Sequence, residues 1–188
     1  MKKALILLAA VFIFIFPSAA QSQGDSDKPA LWWPFESCGI TGELSGNYRF
    51  VSGSSGNGLK FDGYTTKLTL ASEETPNMPA GFSIEAWLAV AAYPWNWCGL
   101  VNQSENKSAG YAIEIGPAGE FRMRLHDGDT WQECTATENI PLKKWTHVAA
   151  VFQPGEGISL YINGQSSGKM EFAGNMASSG EADLLIGT

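Results

Sequence analysis

Three aromatic residues in five positions, Tyr93-Pro-Trp-Asn-Trp97, and a further indole at Trp131 are the side chains of this sequence best suited to hold a ligand. Sugar rings have apolar C–H faces that stack on Trp and Tyr, while their hydroxyls are taken by Asn, Gln, Arg and acids. Such a platform requires exposed rings, whereas an indole that plugs one end of a sandwich would read the same. In Glu120 to His126, Phe121, Met123 and Leu125 alternate with Arg122, Arg124 and His126. On a strand this alternation sets the three basic residues in one row. In a curved sheet the row would line the concave face and bind hydroxyls or a carboxylate, unless it simply faces water.

Asp62, between Phe61 and Gly63, offers a carboxylate that would either cap a turn or ligate calcium together with backbone carbonyls. Asp127-Gly-Asp129 adds two acids in a hairpin loop, too few and too short a loop for an EF-hand. The two histidines, His126 and His147, are too few for a histidine-rich metal site, and His147 reads as structural. There is no Gly-x-Ser-x-Gly elbow, His-Glu-x-x-His helix, phosphate-binding glycine loop or dinucleotide fingerprint.

Lys2 and Lys3 precede an apolar run from Ala4 to Phe16, and Ser18-Ala-Ala20 supplies small residues before Gln21. This predicts a secretory leader over residues 1–20, because a run this short falls below the roughly 20 residues that span a bilayer. The expected product is secreted or held at the cell surface, with no membrane span after cleavage and a disordered tether over 21–29. Without the leader, ten basic residues face nineteen acidic ones, a net charge of −9. Nucleic acid is thereby excluded as a partner, since phosphate contacts need a basic face.

Secretion favours disulfides, and the cysteines are Cys38, Cys98 and Cys134. A Cys98–Cys134 bond is expected because both flank Trp-rich strand starts, and Cys38–Cys98 stands as the alternative. A simple meander from Cys98 to Cys134 would hold them about 14 Å apart, three strand spacings, too far to bond. The expected pair therefore requires those strands to fold back together.

The sequence carries 21 Gly, nine Pro and seven Trp, and it shows strand alternation rather than helical periodicity. Phe82 to Val90 and Trp145 to Phe152 read as central strands. Asn163-Gly164, after Ile158 to Ile162, is the strongest hairpin signal in the chain. Other strands are predicted at Leu31 to Phe35, Tyr48 to Val51, Leu59 to Phe61, Tyr64 to Leu70, Gly99 to Gln103, Tyr111 to Ile115, Glu120 to His126, Trp131 to Thr137, Gln165 to Phe172 and Asp183 to Ile186. Trp32, Trp87, Trp145 and Tyr161 are assigned to packing. Strands so spaced make an all-β, two-sheet antiparallel sandwich over 30–188.

The ordered set Trp32-x-Pro-Phe-Glu36, Gly58-Leu-Lys-Phe-Asp-Gly63, Phe82-Ser-Ile-Glu-Ala-Trp87, Trp145-Thr-His-Val-Ala149 and Leu160-Tyr-Ile-Asn-Gly164 resembles the laminin-G-like group of concanavalin A-like jelly rolls. The resemblance implies two curved sheets, often in a carbohydrate- or protein-binding accessory module of a secreted multidomain protein, sometimes with rim calcium. Such domains close with a further strand soon after a Leu-Ile-Gly like Leu185-Ile-Gly187, so the sequence reads as truncated before its last strand, with one edge unpaired. Jelly-roll glycosidases carry Glu-x-Asp-x-x-Glu on one strand; Glu181-Ala-Asp183 lacks the third carboxylate. The expectation is a non-catalytic carbohydrate-binding module, possessing in its full-length form a catalytic partner domain on a polysaccharide. Its glycan site would comprise Trp95, Trp97, Arg122, Arg124, His126 and Trp131. The alternatives are a protein-interaction or adhesion domain with calcium at the rim, or a jelly-roll hydrolase.

Overall fold

The structure is a computed structural model that describes residues 7–12, 29–36, 39–76, 78, 81–105 and 109–187. Fourteen strands are described: β1 (Leu7–Phe12), β2 (Glu43–Ser45), β3 (Arg49–Ser52), β4 (Asn57–Lys60), β5 (Lys67–Leu70), β6 (Phe82–Val90), β7 (Cys98–Glu105), β8 (Ala109–Ile115), β9 (Phe121–His126), β10 (Trp131–Thr135), β11 (Thr146–Gln153), β12 (Gly157–Ile162), β13 (Gln165–Met170) and β14 (Leu184–Ile186). Among the described residues a single 3-10 turn spans Ser72–Glu74. The strands form two seven-stranded sheets, β13-β12-β11-β6-β1-β4-β3 and β10-β9-β8-β7-β14-β5-β2.

Alternation decides which face each strand buries. Ile84, Ala86 and Leu88 of β6 and Val148, Ala150 and Phe152 of β11 point inward, against Tyr111, Ile113 and Ile115 of β8 and Phe121, Met123 and Leu125 of β9. These residues form one apolar core between the sheets, the dominant favourable contribution to folding. The sheets' outer faces then receive the alternate residues, and any ligand-binding row must lie there. The hairpin from β12 to β13 turns at Asn163 and Gly164, with φ of 51° and 77°, the pair of left-handed conformations that a type I′ turn demands.

Several expectations are corrected. Leu31 to Phe35 is not a strand: Phe35 has φ of 51°, outside the extended region. The segment nonetheless seals the core, with Trp33 and Phe35 fully buried and the Trp33 indole N–H donating to the Thr41 carbonyl at 2.8 Å. Trp32, expected in the packing, is 45% exposed. The strand expected from Tyr64 begins only at Lys67, because residues 62–66 are wound around the Asp62 side chain.

Cys98 and Cys134 are not joined to each other. They lie on β7 and β10, with β8 and β9 between them in a plain meander, so the roughly 14 Å separation applies and forbids a bond. Cys134 is buried in the core, and Cys38 falls outside the described residues. Burial pushes the Cys98 thiol up to about 11, with the Glu114 carboxylate adding to the rise.

The second edge of β6 is also not open. It pairs with β1, Leu7 opposite Val90 through Phe12 opposite Glu85, and β1 pairs on its far side with β4 at Leu59 and Lys60. The apolar run expected to be a leader thus supplies the strand that joins β4 and β3 to the rest of their sheet. A chain beginning at Gln21 is expected to lose amide-exchange protection over 57–60 and 82–90 and to melt at least about 5 °C lower than the full chain; unchanged protection there would contradict this pairing.

Candidate functional site

The outer face of the second sheet brings together most of the residues singled out by chemistry. Register places Glu114 of β8 opposite Arg122 of β9, Arg124 opposite Glu133 of β10, and His126 opposite Trp131. Glu114 is the centre of the group. Its Oε2 accepts from Arg122 Nε at 2.7 Å and Arg124 Nε at 2.8 Å, and its Oε1 accepts from Arg124 Nη2 at 3.1 Å. Arg122 Nη1 also donates to Glu133 Oε2 at 3.4 Å. The Glu114 carboxylate is only 11% exposed, so two guanidiniums compensate a charge that could not be buried alone.

Each guanidinium in turn covers an indole. The Arg122 carbon lies 3.6 Å from the centre of the Trp97 ring, and that of Arg124 lies 4.8 Å from Trp131, both within cation–π range. The result is a ladder, Trp97–Arg122–Glu114–Arg124–Trp131, across three neighbouring strands and one loop. The basic row is therefore held by its own acids rather than freely solvated. His126 shares the face but is buried: its Nδ1 accepts the Gly128 backbone N–H at 3.1 Å, and its ring meets Trp131 edge-on at 5.2 Å.

Trp97 belongs to a loop whose anchoring can be read atom by atom. The Tyr93 hydroxyl donates to the Ile140 carbonyl at 2.7 Å, and its ring lies where a Cβ on Gly119 would sit, 2.6 Å away. Gly119 has φ of 91°, so glycine is needed there both for the turn and for this close approach. Pro94 is buried, and Trp97 is pinned beneath Arg122. Between these anchors Trp95 stands 77% exposed. Of the three aromatics, two fix the loop and one is presented to solvent.

The opposite outer face, on the first sheet, carries a smaller polar cluster. His147 Nε2 lies 3.1 Å from Glu85 Oε2, and its ring is 5.3 Å from that of Trp87. Trp87 and Tyr161 are half-buried on this face and not in the core, as their alternation with Ala86 and Leu160 requires.

Asp62 is a turn cap. Its Oδ1 accepts the N–H groups of Tyr64, Thr65 and Thr66, and its Oδ2 accepts the Thr65 hydroxyl at 2.6 Å. Partial burial works to raise its pKa, but the Thr65 hydroxyl and these backbone donors outweigh it and hold the carboxyl far below the usual carboxylate range. A carboxylate ringed by donors does not fit a calcium ion, and among the described residues no three His, Cys, Asp or Glu side chains could hold a metal together. Asp127 likewise caps its hairpin: bonds from the Thr130 and Asp129 N–H groups and the Gln132 amide bring its pKa to about 2. Asp183 accepts the Ser72 N–H at 3.0 Å.

The sequence matches the family described as the concanavalin A-like lectin/glucanases superfamily over residues 62–188. Among solved structures, the binding domain of Paraclostridial Mosquitocidal Protein 1 is 13% identical with a TM-score of 0.62, covering 94% of this chain and 44% of that one. The binding domain of botulinum neurotoxin DC in complex with SialylT is 17% identical, with a TM-score of 0.57 over 77% of this chain and 38% of that one. A botulinum neurotoxin type C structure, whose cell entry is described as dependent on two ganglioside molecules, is 15% identical, with a TM-score of 0.51 over 78% and 36%. This chain spans less than half the length of these structures, and at such identities the likeness concerns the fold alone. No curated protein sequence matches the chain.

Two outcomes follow from the geometry. Glu114→Ala, which strands two guanidiniums, is expected to cost about 2–3 kcal/mol in urea unfolding, with Glu133→Ala near neutral because that acid is mostly exposed. The capping aspartates have native pKa values below their unfolded ones, so their stabilisation is complete above about pH 4 and is lost as pH falls through the native value. Wild type should therefore lose melting temperature more steeply between about pH 4 and 2 than Asp127→Asn; parallel curves would refute the capping role.

Proposed function

The chain belongs to the concanavalin A-like lectin/glucanases superfamily, and on that footing we propose that it is a secreted, non-catalytic carbohydrate-binding module whose glycan site is the outer face of the second sheet. The observation that carries this reading is the exposed Trp95 beside the Trp97–Arg122–Glu114–Arg124–Trp131 ladder. A solvated sheet face has no need of two indoles, each capped by an arginine whose orientation is fixed by a shared, nearly buried carboxylate. That arrangement offers aromatic faces and oriented N–H donors side by side, the combination that sugar rings require. The SialylT complex and the two gangliosides named for the botulinum relatives are in keeping with it.

Trp95 supplies the stacking surface, Trp97 and Trp131 hold the arginines in place, and Arg122 and Arg124 supply the donors not spent on Glu114 and Glu133. His126 positions Trp131 and does not touch the ligand. Glu114 and Glu133 both bond Arg122, so a guanidinium stands where a glycosidase would put the scissile bond between its two carboxyls. Residues 1–20 are a leader removed on export, and the module works within a longer protein whose further strand takes the place of β1 between β6 and β4 and which carries the catalytic domain. No role is given to calcium at Asp62.

The test is a glycan array with the full chain, run with calcium and with chelator, alongside a Trp95→Ala, Trp97→Ala double variant. Binding of a defined glycan that survives chelation and falls at least about tenfold in the variant is expected. Absence of binding by folded protein overturns the reading and favours a protein partner; binding that needs calcium overturns the metal-free site.

A further inference from the structure

A second site lies at the end of the sandwich, where β8 begins and β9 ends. The segment around Ala177 is fastened there by two backbone bonds, Ala177 N–H to the His126 carbonyl at 2.7 Å and Gly110 N–H to the Ala177 carbonyl at 3.0 Å. Between this strap and Ser72, Thr75, Pro76 and Met78 is a cavity of about 240 Å³. Its lining includes Gln103, Ser178, Ser179, Thr75, Met78 and Met176, and none of its described lining residues carries a charge.

Two of its polar side chains are built into the fold with bonding capacity to spare. Gln103 is 94% buried, and its amide is oriented by one bond, Nε2 to the Ala182 carbonyl at 3.2 Å. Its Oε1 accepts nothing from the described residues. The Ser179 hydroxyl, on a residue only 4% exposed, likewise has no protein partner among the described residues. Neither is sealed away, since among the described residues no buried side-chain nitrogen or oxygen lacks a partner; both open onto the cavity. Buried polar groups left this way are costly unless water or a ligand satisfies them.

We propose that this cavity binds the end unit of a glycan, a single uncharged polyhydroxylated ring, apart from the aromatic face. Gln103 Oε1 and the hydroxyls of Ser178 and Ser179 take the ring's hydroxyls, while the thioethers of Met78 and Met176 contact its C–H face. The absence of charge in the lining selects against uronic acids and phosphosugars, whose desolvation nothing here would offset. The proposal rests on the carbohydrate reading only for its class of ligand; the site and its residues are separate.

The experiment is an amide-resolved NMR titration of the full chain with the methyl glycosides of glucose, galactose, mannose and N-acetylglucosamine, and with methyl glucuronide as the charged comparison. At least one neutral glycoside is expected to shift the amides of 72–76, 103 and 176–180. Gln103→Leu, and Ser178→Trp at the exposed rim, should each weaken that binding about tenfold or more, whereas Trp95→Ala leaves it unchanged. Ser178→Trp keeps the test decisive if Gln103→Leu fails to fold. No shifts by about 50 mM glycoside, undiminished binding to Ser178→Trp, or tighter binding of the glucuronide would each overturn the proposal. Shifts confined to residues 95–97, 114, 122–124 and 131 would overturn it too, while supporting the aromatic face; array binding lost in the Trp95, Trp97 variant with monosaccharide binding retained separates the two readings in the other direction.

Discussion

A carboxylate that is taken out of water must be met by cations, and on the outer face of the second sheet that requirement organises everything around Glu114. Its two oxygens accept three bonds from two arginines. Long, flexible side chains on β9 are thereby held flat against the sheet, and the planes of their guanidiniums become shelves over Trp97 and Trp131. The indoles in their turn fix the 93–97 loop and the start of β10. One ion-pair centre thus sets the positions of residues on a loop and three strands, and it does so with charges that nearly cancel. The face is consequently ordered without being strongly basic, which suits recognition by shape and hydroxyl pattern better than attraction of an anion at long range.

The parts of this arrangement that follow from alternation were legible in the sequence. Period-two patterning gives β6, β11 and the basic row of β9 with nearly their observed limits, and Asn163-Gly164 gives its hairpin, because these depend only on neighbouring residues. Glu114 was not recognised, although a signal exists: it is the single charge in the apolar run of β8, and antiparallel pairing with β9 brings it level with Arg122. Finding it needs the register of two strands, which composition alone does not fix.

Other features depend on contacts between segments far apart in the chain. Trp33 and Phe35 are core residues on an irregular segment whose course is set by Thr41 and by Glu36, which takes two bonds from Asn57. The expected Cys98–Cys134 bond fails because sequential strands in this sheet meander, so residues three hairpins apart are carried away from each other. The neutral cavity is formed by three stretches, near residues 75, 103 and 178, none of which carries a recognisable motif. Trp87 and Tyr161 show the limit of treating large aromatics as core by default: alternation, which is the stronger rule, puts them outside.

The anchoring of the 93–97 loop bears on how this surface could change over evolutionary time. Tyr93 and Trp97 are tied down through the Ile140 carbonyl and Arg122, so the position between them is a fixed stalk whose side chain makes little contribution to folding. A residue presented this way surrenders little backbone entropy when it meets a partner. It can also be exchanged for another without disturbing the ladder beneath it. On the proposed carbohydrate-binding reading, position 95 is accordingly the place where ligand preference is free to drift while the scaffold stays the same.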